Sequence, residues 1–175
     1  MKSLKNGRIS GARGLYASIA IVCSTLAPLA GSTAYAADPV ATGSVSLSNL
    51  SVGESYGGGK VAHIFRKNEQ GYVAGQVHGL IAAKEDIDPA SWGKAVTSCR
   101  EYRGGGHDDW RLPSKEELEK LYENRIAIGG FKERHYYWSA TESDRNDAWD
   151  QSFRRGAHNL GYKLEYNNVR PVRTF

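Results

Sequence analysis

The residues best suited to chemistry stand in the run HDDWRLPSKEELEKLY, residues 107–122, where Asp108 and Asp109 precede Arg111 and glutamates follow at positions 116, 117 and 119. Paired acids beside a guanidinium are the material of general acid–base catalysis or of a cation site. The spacing also has an architectural reading. Ser114 and Glu117 fit the S-x-x-E capping box, in which the serine hydroxyl accepts the amide of Glu117 and the glutamate returns to the amide of Ser114. Pro113 keeps Leu112 out of helical geometry, so the helix start is doubly specified. Leu118, Leu121 and Tyr122 then make an inward face, with Glu116, Glu117 and Glu119 outside near the positive end of the helix dipole. Capping and dipole account for the glutamates. Asp108 and Asp109 stay open between a cation site, an orienting contact to Arg111 and turn formation after glycines. Trp110 is expected in the core.

Two further groups could bind. The loop TESDRNDAWD sets Glu142, Asp144, Asn146, Asp147 and Asp150 close together, enough oxygen ligands for calcium, although it lacks the glycine and distal glutamate of an EF-hand. The alternative is a solvated acidic loop. Downstream, Arg154, Arg155, His158, Tyr162 and Lys163 combine guanidinium forks, which suit sulfate or carboxylate oxygens, with an aromatic ring that can stack on a sugar. They are candidates for an acidic-glycan site, against the plainer reading of a soluble hairpin. Enzyme signatures are missing: His63, His78, His107, His135 and His158 lack zinc-ligand spacing, and no G-x-S-x-G elbow occurs.

Charge narrows the partners. Lys2, Lys5, Arg8 and Arg13 lead into the apolar stretch GLYASIAIVCSTLAPLAG and the cleavage-like AYAA, so residues 1–37 read as a secretory signal. The apolar run is too short and interrupted for a membrane span. Taking those four cations from the 23 Lys+Arg leaves 19, against 19 Asp+Glu, so no basic excess remains for general nucleic-acid binding. The balance is uneven, since residues 151–175 hold Arg154, Arg155, Lys163, Arg170 and Arg173 against Glu165 alone. A local polyanion site or a solvated face would both give this tally. With Cys23 in the signal, Cys99 is left without an intrachain partner, and its helical spacing with Trp92, Ala95, Val96 and Tyr102 puts it on an apolar face.

These residues need elements to hold them. Residues 38–51 read as a polar leader, and a single domain is expected over 52–175. GGGKVAHIFRK and HGLIAAKED suggest strands, and DPASWGKAVTSCREYRGGG a helix with Asp88 or Ser91 as N-cap. The capped helix at 114 follows, then strands in HYYWSAT, DAWDQSF and NNVRPVRTF, the last an edge or bulged strand because of Pro171. The order β-β-α-α-β-β-β argues for an α+β fold.

The segments VGESYGGGKVAHIF, SWGKAVTSC, GGGHDDWRLPSKEELEKLYENRIAIGGF, YYWSATESDRNDAWDQSF and NVRPVRTF together resemble the Lcl C-terminal domain family, over about Val52 to Phe175. The resemblance implies a C-type lectin-like domain with two helices, a small mixed antiparallel sheet whose N- and C-terminal strands meet, and long irregular loops. The family's namesake is a collagen-like surface adhesin; no collagen-like stalk precedes the domain here. A formylglycine-generating enzyme shares a related fold, but its copper chemistry uses a cysteine pair. The expectation is therefore an exported, non-catalytic bacterial binding module for an acidic glycan or other envelope or cell-surface ligand. It would act in the periplasm, at the surface or outside the cell, with no cofactor beyond calcium and with homo-oligomers open. The alternatives are an envelope assembly protein, and an enzyme of the formylglycine-generating or hydrolytic kind.

Overall fold

A computed structural model describes residues 47–175; the expected signal over 1–37, with Cys23, and the leader up to residue 46 lie outside the described residues. The described chain begins with a 3-10 turn at Leu47–Asn49, and Leu50 is already buried. In order come β1 (Ser55–Tyr56), β2 (Gly59–Ile64), β3 (Gly79–Ala82), β4 (Ile87–Ala90), α1 (Trp92–Glu101), α2 (Lys115–Glu123), the single turn α3 (Arg125–Ile128), β5 (Tyr136–Glu142), β6 (Asp147–Ser152), β7 (His158–Tyr162), β8 (Asn167–Val169) and β9 (Val172–Thr174). The fold is α+β, as the element order implied. None of the described helices is long and apolar enough to cross a membrane.

The strands divide into two sheets, ordered β1-β2-β3-β9 and β4-β8-β5-β6-β7. All pairings are antiparallel except β5 with β8, so the larger sheet is mixed. The C-terminal strand β9 pairs with β3 and so joins the N-terminal sheet, but β1 lies at the opposite edge, so the first and last strands share a sheet without pairing as the resemblance implied. Pro171 falls between β8 and β9, where the chain leaves one sheet for the other and needs no ladder donor. Its carbonyl accepts the amide of Ala83 at 2.8 Å. The turn joining β1 to β2 places Gly57 and Gly58 at φ 51° and 84°, a left-handed pair that glycine adopts without strain.

Each helix buries the face its spacing indicated. On α1, Ala95 and Cys99 are fully buried, with Trp92 and Val96 packed beside them against Trp138 and Val169. Burial pushes the Cys99 thiol up to about 12, so it is a core side chain and a poor nucleophile. Ser91 is the N-cap of α1 but makes no side-chain cap bond, and Asp88 lies within β4. On α2 the capping box is complete in both directions, and Leu118 and Leu121 are buried. They join a cluster in which the rings of Tyr137 and Phe153 stand 4.3 Å apart. Trp110 is 1% exposed and donates its indole N–H to the Gly104 carbonyl at 3.0 Å. Packing on this apolar surface, rather than propensity, holds such short helices.

Candidate functional site

The basic residues of the C-terminal segment meet very different fates. Arg170, counted in the sequence as a candidate surface cation, is 1% exposed. Its Nε donates to Asp86 Oδ1 at 2.7 Å, and its other nitrogens donate to the carbonyls of Ala83 at 3.0 Å and Gly130 at 2.7 Å. Asp86 is held in turn by the Tyr137 hydroxyl at 2.6 Å. Arg173 forks onto Asp109 at 2.6 and 3.0 Å, which settles one of the two aspartates left open: Asp109 ties β9 to the turn before α2. The Arg173 hydrogen bond holds the Asp109 carboxyl below the usual range. Arg111 turns to Glu117 instead, in a bidentate pair at 2.6 and 2.6 Å. Glu117 is thus a half-buried partner and not the outer glutamate that helical spacing indicated.

Lys163 is equally committed. Its Nζ donates to Glu142 Oε2 at 2.6 Å and to the Asp144 carbonyl at 2.6 Å, and lies 4.8 Å from the centre of the Trp92 ring. Of the acids in the Glu142–Asp150 loop, Glu142 alone has its carboxylate on Lys163. Asp144 Oδ1 accepts the amides of Asn146 at 2.7 Å and Asp147 at 2.9 Å, and these bonds hold its carboxyl below the usual range. Asp150 points inward from β6 to Asn167 Nδ2 at 2.8 Å, and burial raises its carboxyl to about 6. The five calcium candidates are therefore not gathered around one point. Among the described residues no group of three or more His, Cys, Asp or Glu is placed to hold a metal ion.

Arg154 and Arg155 differ from all of these. They occupy the turn between β6 and β7, both exposed, and neither makes a hydrogen bond or ion pair with the described residues. The turn is rigidly mounted. Gly156 sits at φ +75°, and a Cβ there would lie 2.4 Å from the Tyr122 ring, so α2 and the turn touch with no side chain between them. The Gly156 amide donates to Ser152 at 2.7 Å, and its carbonyl accepts from Gln151.

A second basic segment meets this turn. Phe153 donates its amide to the His135 carbonyl at 3.0 Å, and Tyr136 pairs with Ser152 at the start of β5. The loop before β5, carrying exposed Lys132, Arg134 and His135, is thereby fixed beside Arg154 and Arg155. The Lys132 amide donates to the Tyr137 hydroxyl at 2.7 Å, anchoring the loop's other end. Glu133 is its one acid. Together the two loops form a basic pole with four unpartnered cations, Lys132, Arg134, Arg154 and Arg155. Sequence reasoning missed Lys132 and Arg134. The signal was the β5–β6 hairpin, whose register sets Tyr136 opposite Ser152 and so brings His135 beside Phe153, with Lys132 and Arg134 on the loop just before it.

The other candidate ligand residues fall elsewhere. His158 opens β7, and its Nε2 lies 2.9 Å from Glu119 on α2. Tyr162 and Lys163 lie at the far end of β7, about 13 Å along the strand. The structure joins Arg154 and Arg155 to the loop before β5, not to Tyr162 and Lys163. A cleft of about 610 Å³ opens separately between the β2–β3 loop and α2. Its floor carries Phe65 and Leu80, and its walls carry the pairs His63–Glu69 at 2.7 Å and Arg111–Glu117. Those charged groups already satisfy one another.

A comparison with curated proteins gives no match. Among solved structures, the crystal structure of botrocetin aligns with a TM-score of 0.40 and 11% identity, covering 61% of this chain and 98% of that one. The family model described as the Lcl C-terminal domain matches residues 68–173, a span that holds both loops of the basic pole, and the chain belongs to that family.

Proposed function

We propose that this chain is an exported, non-catalytic binding module of C-type lectin-like architecture, and that its basic pole takes an acidic glycan of the cell envelope or a cell surface. The observation that carries the reading is that two loops joined by the Phe153–His135 hydrogen bond carry Lys132, Arg134, Arg154 and Arg155, all exposed and without an ion pair among the described residues. Unpaired guanidinium groups on a fixed frame present donors without an internal acid to displace, and arginine forks match sulfate and carboxylate oxygens two at a time. The cations that the fold needs for itself, Arg170, Arg173 and Lys163, are buried or paired away from this pole.

The reading is adhesin-like and needs no covalent step. Cys99 is buried with a raised thiol, and the cleft beside α2 is walled by the His63–Glu69 and Arg111–Glu117 pairs, already bonded to each other. Chromatography on immobilised heparin tests the site. Arg154→Ala with Arg155→Ala, and separately Arg134→Ala, are expected to shorten retention, while Lys94→Ala on α1, also an exposed lysine, leaves it unchanged. Equal losses from all three variants would show diffuse charge attraction instead of a site.

A further inference from the structure

The two sheets expose four edge strands, and three of them are protected against pairing. β1 has two residues and β9 three, and β4 carries Pro89 and a register shift between Ile87 and Ala90. Short strands, proline and bulges are the usual devices that stop an edge from recruiting another chain. β7 has none of them. It runs His158–Tyr162 without proline, lysine or bulge, and pairs with β6 over five successive residues.

Its free side is complementary to itself. Ser152 donates to the Ala157 carbonyl and Lys163 donates to the Asn146 carbonyl, so Ala157, Asn159 and Gly161 turn their backbone groups toward β6, as Lys163 does its amide while its carbonyl accepts from Trp92. By alternation His158, Leu160 and Tyr162 turn theirs outward. The same three residues share one face, where Leu160 is 52% and Tyr162 47% exposed, and Leu164 and Tyr166 follow at 69% and 74%.

We propose that β7 is a self-association strand, through which two copies of this chain pair antiparallel about a two-fold axis at Leu160 and join their five-stranded sheets into one. Leu160 then faces Leu160 of the second copy in a doubly hydrogen-bonded pair, and each Tyr162 amide reaches the His158 carbonyl opposite. The antiparallel order decides in favour of a second copy over a foreign strand. It brings the Arg154–Arg155 turn of one copy beside the Lys163–Tyr166 turn of the other, where Glu165 is the acid. Within one copy the side chain of Glu165 is exposed and makes no ion pair. Arg154, Lys132 and Arg134 stay outward, at the two ends of the joined sheet.

Sedimentation velocity on the full chain, across a concentration series, tests the assignment. Wild type is expected to sediment as a reversible dimer. Leu160→Lys raises the dissociation constant on the order of a hundredfold, since two leucines lose their burial at once. Glu165→Arg weakens the dimer, and combining it with Arg155→Glu restores it. Amide exchange at Leu160 and Tyr162 slows as concentration rises, while exchange at Ile126 on α3 does not change. A monomer at every concentration overturns the assignment, as does a trimer or an unchanged dimer in Leu160→Lys. Should Leu160→Lys not fold, the Glu165→Arg pair of variants carries the same decision, because that side chain is exposed and makes no ion pair.

Discussion

Replacing Asp150 by asparagine should change how stability depends on pH, by an amount that follows from its surroundings. Asp150 is 4% exposed, accepts Asn167 Nδ2 at 2.8 Å through one oxygen, and leaves its other oxygen without a partner among the described residues. Burial raises its carboxyl from 3.8 to about 6, so the folded state binds this proton more tightly than the unfolded state does. A raised carboxylate pKa contributes stability that is complete below the unfolded value and is lost as pH rises through the folded value. The loss runs between pH 4 and pH 6. A shift of about two units corresponds to about 3 kcal/mol, and in a domain of this size to about 10 °C of melting temperature. Asparagine keeps the acceptor for Asn167 and cannot ionise. Thermal melts of wild type and Asp150→Asn from pH 3 to pH 8 should therefore converge in acid and separate by about 3 kcal/mol in the variant's favour by pH 7. A separation that does not vary with pH, or one that favours wild type more strongly above pH 6, would refute the reasoning.

Arg170→Ala leaves Asp86 buried without its cation and empties five hydrogen bonds to the carboxylate and surrounding carbonyls, so melting should show a loss of about 3–5 kcal/mol. Its salt dependence should be slight, because the pair is shielded from solvent. Cys99 should react with a thiol reagent only after denaturation, and a fast reaction of this residue in the native protein would contradict its place on the buried face of α1.

What the sequence disclosed was local. The capping box at Ser114 and Glu117, the buried Trp110 and the apolar face around Cys99 all rest on neighbours within a turn or two, and spacing is enough to find them. The partners of the charged residues rest on contacts across the chain. Arg173 reaches Asp109 over 64 positions and Arg170 reaches Asp86 over 84, so a tally of C-terminal cations could not separate the structural ones from the free ones. Glu117 shows the same limit: helical spacing placed it outside, while the chain before α2 sets Arg111 against it. The basic pole was half legible. Arg154 and Arg155 stand side by side in sequence, but Lys132 and Arg134 join them only through the register of β5 on β6. The grouping with Tyr162 and Lys163 came from proximity in sequence, which a strand undoes by carrying its two ends apart.

The central claim is that two loops act as one polyanion site, and the salt dependence of binding tests it most directly. Each cation that displaces counterions from a highly charged chain adds to the slope of log K against log salt, by about 0.7–0.9 in nucleic-acid systems. Calorimetric titration of a sulfated oligosaccharide into the full chain, dilute enough to be monomeric so that Arg155 is free, at several salt concentrations should give a slope of magnitude near three. The Arg154→Ala and Arg155→Ala pair should lower it by nearly two, and Arg134→Ala by nearly one. Equal slopes in wild type and all variants, or no heat of binding at low salt, would contradict the account.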